Sequence, residues 1–236
     1  MQFFYHEEAG RPRLNVDSNG AHYLFRVRRL RPGMLLDFCN LKDGLRHAYK
    51  HEGKNEFSLV ASSVFKAAPP RLSLIMAAID PKDIYDSLPM LNALNAASLS
   101  LFYADRSQKN RQLDMGRVGR ILQSSCMQCG RPSLMKIALY ENLDEVLGEF
   151  PKASFIDFAS PSAPALYLEN LDKDSLGRQA SLGLVIGPEG GFSQLERGRM
   201  DGYARLCLKA PYILTSQAAG VYVASLCAAL DSKSRR

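Results

Sequence analysis

The residues best placed to do chemistry are Gly187, Pro188, Glu189, Gly190 and Gly191. An apolar run, Leu182 to Ile186, precedes them and reads as a buried strand. After them Ser193 and Glu196 have the spacing of a capping box, which marks a helix start. Strand, glycine loop and helix N-terminus together suit small-molecule binding. Glycines let a ligand approach the backbone, and the first-turn N–H groups are free to bond it. A plain turn without a ligand is the alternative. A proline, an acid and three glycines packed between a buried strand and a capped helix favour the ligand loop. The pattern is neither GxGxxG nor GxxxxGK[ST], so neither a dinucleotide nor a P-loop enzyme is indicated.

Other candidates are arginines. Arg106 follows a predicted strand and Arg131 follows a predicted helix, while Arg26, Arg28, Arg29 and Arg31 crowd together beside His22. Guanidinium binds phosphates and base edges through bidentate, permanently charged bonds, although most arginines are simply solvated. Cys126 and Cys129 form a CxxC pair, but no second pair or HxxxH completes a zinc set. They read as helix-packed thiols, and no metal is expected.

These groups need a scaffold, and the chain supplies two rhythms. Up to Pro70 the signals are short strands and turns: Arg31-Pro32-Gly33, a strand over Met34–Cys39, a hairpin-like turn at Lys42-Asp43-Gly44, and a strand over Phe57–Val64. Gly20 to Val27 reads as one or two helical turns. A small β-barrel fits this pattern. From Arg71 strands and helices alternate. Strands are expected over Leu72–Ala78, Leu99–Ala104, Ser133–Leu139, Ser154–Phe158, Leu182–Ile186 and Ala204–Leu208. Helices are expected over Ile84–Ala97, Gly116–Cys129, Leu143–Phe150, Leu195–Tyr203 and Ser216–Leu230. Such alternation predicts an α/β domain with a mostly parallel sheet, whose ligands bind at the carboxyl ends of the strands. Domains over 1–68 and 71–236 follow.

Composition limits the remaining choices. Apolar residues make up 46% and charged residues 23%, as in an ordinary globular protein. No apolar run reaches the roughly 20 residues of a bilayer span, so no membrane role is expected. No secretory leader is visible, and an odd count of five cysteines suits a reducing cytoplasm. The net charge of +6 is uneven: residues 1–70 carry 11 Lys/Arg against 7 Asp/Glu, and the rest 19 against 17. A basic N-terminal part is suited to a polyanionic partner.

GPEGGFSQLE resembles the signature of the RsmE family, SPOUT-class methyltransferases that modify uridine N3 in small-subunit (16S) ribosomal RNA. Further segments match in order. Ala104-Asp105-Arg106-Ser107 resembles the family's (T)ERS, and Met127-Gln128-Cys129-Gly130-Arg131 its EQSxR. His22 to Arg28 resembles its H-x-x-x-V-L-R region, and Lys209 to Leu214 its LGPRIL. The resemblance implies a trefoil-knotted α/β domain with a PUA-like N-terminal barrel, working as a homodimer. It implies S-adenosylmethionine bound by Gly187, Pro188, Glu189, Gly190, Gly191, Leu208, Ile213 and Leu214. Arg106 and Arg131 would be catalytic, Arg26, Arg28 and Arg29 would bind RNA, and the partner would be the rRNA or the 30S subunit. The chain departs from LGPRILRxETA: Tyr212 and Thr215 replace arginines, and Gln217 replaces glutamate. Lys109, Arg111 and Arg131 are the basic groups that could compensate. The departures leave a second reading open, an RNA-binding relative with lost or redirected methyl transfer.

Overall fold

The computed structural model describes residues 1–67, 69–70, 72–107, 112–156 and 182–233. Two compact units emerge: Met1–Ala67 with Gln123–Leu134, and the remainder of the described chain.

The first unit is built on a five-stranded sheet of order β1-β3-β4-β5-β2. Its strands are β1 (Phe4–Tyr5), β2 (Arg13–Asn15), β3 (Leu35–Cys39), β4 (Leu45–Gly53) and β5 (Glu56–Val64). β1 pairs with β3 in parallel, and the other pairs are antiparallel. The helical turns expected near residues 20–27 are α1 (Ser18–Ala21), which continues as a π-helix over His22–Val27. Asp17 caps α1 by accepting from Gly20 N at 2.7 Å. The expected turn at 42–44 joins β3 to β4; Asn40 Oδ1 accepts from Lys42 N and Asp43 N, and Gly44 takes a φ of +69°. β4 carried no apolar alternation in the sequence because His47 and His51 fill inward positions, each about 3% exposed. Leu14, Leu24, Phe38, Tyr49 and Phe57 form the core.

The second unit holds a six-stranded sheet of order β11-β9-β10-β6-β7-β8, parallel throughout, as the alternation predicts. Its strands are β6 (Leu72–Ala77), β7 (Ser98–Phe102), β8 (Lys136–Tyr140), β9 (Ser154–Ile156), β10 (Leu182–Ile186) and β11 (Ala204–Leu206). Its helices are α2 (Pro81–Ala93), α4 (Leu143–Glu149), α5 (Gln194–Arg199) and α6 (Ser216–Lys233), with the first half of α3 (Met115–Cys129). Every residue of β6 is buried, as expected of a central parallel strand covered on both faces. Leu74 and Met76 face α2, α3 and α6, whereas Ile75 and Ala77 face α4 and Phe192.

Boundaries moved where polar signals outweigh periodicity. α2 begins at Pro81, not Ile84, because the Asp80 side chain accepts from Lys82 N and Pro81 suits the first turn. It stops before the expected Ala97 because Asn95 turns left-handed at φ +62°. α5 ends at Arg199, short of Tyr203, before the turn at Gly202, which has φ +89°. Positions 157 and 158 of the expected strand lie outside the described residues, as do Lys109 and Arg111.

The first unit's core contains a testable polar contact. Tyr49 is fully buried; its hydroxyl donates to Arg11 O at 2.6 Å and accepts from Gly10 N at 2.9 Å. Tyr49→Phe strands both backbone groups and is expected to cost about 1–3 kcal/mol. In a thermal melt each kcal/mol should lower Tm by about 2–4 °C.

Candidate ligand-binding site

The glycine loop leaves β10 at the carboxyl end of the sheet and turns at once. Gly191 N donates to Pro188 O at 2.8 Å, and Gly191 holds φ +69°, which favours glycine. Gly187 is required for a different reason. A Cβ there would stand 2.8 Å from the ring of Phe192, which is itself buried edge-on against Phe155. Ser216, the first residue of α6, donates from Oγ to Gly187 O at 2.8 Å. Thr215 caps that helix, its Oγ1 accepting from Ala218 N at 3.2 Å.

The expected capping box is present: Ser193 Oγ accepts from Glu196 N, and Glu196 Oε2 accepts from Ser193 N at 2.8 Å. It does more than start α5. Glu196 is 2% exposed, and its Oε1 accepts from Asp105 N at 3.0 Å. Ser193 Oγ also donates to Asp105 Oδ2 at 2.5 Å. The 104–107 segment, which follows β7, is thereby fastened to the glycine loop. It turns on itself through Ser107 N to Ala104 O, and Ser107 Oγ accepts from Ala104 N at 3.2 Å. Arg106 is exposed, and its Nη1 donates to Gly190 O at 2.5 Å.

One cleft gathers most of the sequence candidates. Gly187, Pro188, Glu189, Gly191, Ile213 and Leu214 line it, and Gly190 lies at its edge in contact with Arg106. Leu208 is placed differently: it is 5% exposed and packs in the sheet core beside Ile186 and Leu184. The cleft also includes Ile156, Phe192, Arg197 and Ser216, which the sequence reading did not single out. In the sequence Ser216 is only the first residue of one helix and Arg197 a basic residue in the last turn of another. Asp105 and Glu196 lie within the matched segments, but nothing in a single sequence shows that they meet.

The remaining candidates lie in the first unit. Arg131 is 8% exposed, and burial lowers its pKa from the ordinary arginine value, opposed by nearby Cys126 and Cys129. Arg26, Arg28, Arg29 and Arg31 are all exposed; Arg29 holds a left-handed φ of +57° directly after the π-helix. Cys126 is buried in the helix, whereas Cys129 is exposed. Burial pushes the Cys39 thiol up to about 12, which keeps it protonated and unreactive. No helix is long and apolar enough to cross a membrane among the described residues.

Residues 66–228 match the model of an RNA methyltransferase domain. The chain is 36% identical over 234 residues to a curated Helicobacter pylori protein named ribosomal RNA small subunit methyltransferase E, covering 96% of this chain and 99% of the relative. In fold it resembles a Neisseria gonorrhoeae structure described as ribosomal RNA small subunit methyltransferase E bound to S-adenosyl methionine. There the TM-score is 0.78 and the identity 19%, with 98% of each chain covered. A Legionella pneumophila structure, described as a methyltransferase in complex with the cofactor SAM, aligns with TM-score 0.75 and 19% identity over 97% of both chains.

The carboxylate of Glu196 generates a stability prediction. Glu196→Gln keeps the shape but points an amide N–H₂ at one of two backbone donors, so one bond is replaced by a donor–donor clash. The expected cost is about 1.5–3 kcal/mol, read as a lowered thermal midpoint. An unchanged midpoint would show that the buried carboxylate does not tie the two loops together.

Proposed function

The chain belongs to the ribosomal RNA small subunit methyltransferase E family, and from that premise we propose that it methylates N3 of a uridine in small-subunit ribosomal RNA. S-adenosylmethionine is the methyl donor. The observation that carries this reading is the bond from Arg106 to Gly190 O, which sets a cation against the glycine loop.

The cleft fits the cofactor on its own terms. Gly187 lets the Phe192 ring pack directly against the loop, and the apolar wall this helps to form suits an adenine. Gly187 to Gly191 with Ile213 and Leu214 would hold the cofactor, with Leu208 supporting them from the core. When bound, the cofactor supplies an activated methyl group. The chain must bring the uracil N3 into line with it and favour the deprotonated ring, whose charge spreads onto the carbonyl oxygens. Arg106 is exposed at the loop and stabilises that charge electrostatically, while the fixed loops supply positioning. Arg131 is assigned as the second cation. Arg26, Arg28 and Arg29 contact RNA phosphates, where exposure and charge both suit them.

Several finer features belong to the same proposal. We assign a trefoil knot to the C-terminal part of the sheet. In its support, β10 is inserted between β9 and β6, β11 lies outside β9, and α6 returns to pack on β6 and β10. The five-stranded unit is assigned as PUA-like. A homodimer is supported by the exposure of Tyr212 and Ile213 and by the small residues of α6. A reducing cytoplasm is supported by the five cysteines in thiol form. The second reading, RNA binding without turnover, draws on Tyr212, which is 82% exposed at a position where the resembled LGPRIL pattern has arginine.

The decisive measurement is mass spectrometry of small-subunit rRNA from cells lacking this protein. One uridine should lose its N3 methyl group; an unchanged modification profile would overturn the proposal. Arg106→Met should lower the rate of methyl transfer from labelled cofactor by about 10²–10³-fold. Cofactor affinity by calorimetry should change far less. Equal rates in variant and wild type would remove Arg106 from catalysis, and rRNA binding without any transfer in the wild type would favour the second reading.

A further inference from the structure

A dense cationic patch lies on the first unit, and an aromatic ring stands in its midst. Residues 18–36 hold four arginines and no acid, and Arg26, Arg28, Arg29 and Arg31 are all exposed. Tyr23 belongs to the π-helix over His22–Val27, where Arg28 N donates to Tyr23 O at 2.9 Å across five residues. That spacing sets Val27 and Arg28 beside Tyr23. His22, Tyr23, Arg26, Val27 and Arg28 are exposed while Leu24 is buried, so the ring shares an outward face with the cations. The ring is also held in place. It stacks on Phe4 with centroids 6.3 Å apart and an interplanar angle of 27°. Phe4 in turn meets the fully buried Phe38 edge-on at 5.6 Å, and a Cβ at Gly20 would stand 3.2 Å from the Phe4 ring. One face of Tyr23 is therefore backed by the core of its unit, yet the residue remains 36% exposed.

A ring already fixed in its rotamer loses little freedom when something covers it. The cover must be flat and must suit a cationic surround. Every nucleobase has a flat π-face, and its flanking phosphates supply negative charge. In a duplex the base faces are stacked on one another, so only an unpaired base can lie on the ring. Resting on the reading of RNA as the partner, we propose that Tyr23 is a stacking platform for an unpaired base of the substrate RNA, with the surrounding arginines on the adjoining phosphates. The platform distinguishes single-stranded from duplex RNA, reads strandedness rather than sequence, and takes no part in methyl transfer.

Fluorescence anisotropy with two end-labelled probes tests this in the full-length protein: a short single-stranded RNA, and the same strand annealed to its complement. Tyr23→Leu should weaken the single strand by about 5- to 100-fold, the range for one base–aromatic stack, and shift the duplex by less than about threefold. Tyr23→Phe keeps the ring and should bind as wild type does. The slope of log Kd against log salt should stay the same in Tyr23→Leu, since no phosphate contact is lost. The chain has no tryptophan, so Tyr23→Trp places a single reporter on the platform. Its emission should be quenched by the single strand and far less by the duplex. Unchanged single-strand affinity in Tyr23→Leu overturns the inference, as does an equal loss for both probes, which marks a merely structural ring. Unquenched Tyr23→Trp emission with the single strand bound overturns it too, without recourse to a variant that removes the ring. A wild type that binds neither probe overturns RNA as the partner and this inference with it. One that methylates rRNA while failing these tests loses only the stacking platform.

Discussion

One buried carboxylate holds the candidate site together. Glu196 is almost wholly removed from water, and an unpartnered carboxylate there would destabilise the fold. Its two oxygens are taken by Asp105 N and Ser193 N, groups from loops 88 or more residues apart in sequence. The direction of charge is favourable as well, because Glu196 occupies the first turn of α5 beside unpaired backbone donors. The glycine loop can therefore consist of residues with little rigidity of their own. Its shape comes from what surrounds it: Glu196 behind, Ser216 on Gly187 O, and Arg106 on Gly190 O.

Sheet order explains why these loops meet. From β6 the chain builds outward through β7 and β8, then crosses to the other side, where β10 is placed directly against β6. Loops that follow β7 and β10 both emerge at the carboxyl edge, separated only by the end of β6. Crevices at such a switch point are where parallel sheets bind ligands. The contact between Arg106 and Gly190 spans that crevice. Residues from three separated stretches, 104–107, 187–193 and 213–219, converge there because all three follow or precede elements ending at one edge.

Periodicity and turn chemistry made much of this legible. The strand over 182–186 and the capping box at 193 and 196 are found as read, because a buried apolar run and an S-x-x-E spacing are local signals. β4 was harder. Its inward positions hold His47, Tyr49 and His51, two of them polar, so no alternation of apolar residues marks the strand. Apolar spacing alone puts the start of α2 at Ile84, although Asp80-Pro81 carries the true signal. Long-range facts were not legible at all. That Glu196 bonds Asp105, or that Leu208 sits in the core while Ile213 lies at the cleft, depends on how distant segments stack.

The altered tail at 212–217 shows how a site can keep its frame while its surface changes. Thr215 stands where the related pattern has arginine, and its hydroxyl caps α6. That cap fixes the first turn of α6 and so the position of Ser216, whose Oγ holds Gly187 O. Gln217 replaces an acid in the same first turn, and the exchange removes a favourable charge at the helix N-terminus. Tyr212 and Ile213 are both highly exposed, so exchanging arginine for tyrosine there removes a charge from the rim without disturbing the core. Of the three altered positions, Tyr212 lies exposed, whereas Thr215 still contributes to the frame through its cap on α6. The glycine loop is shaped by Glu196, Ser193 and Ser216, all of them hydrogen-bonded. The exposed part of the tail can therefore vary while the bonds that shape the glycine loop stay in place.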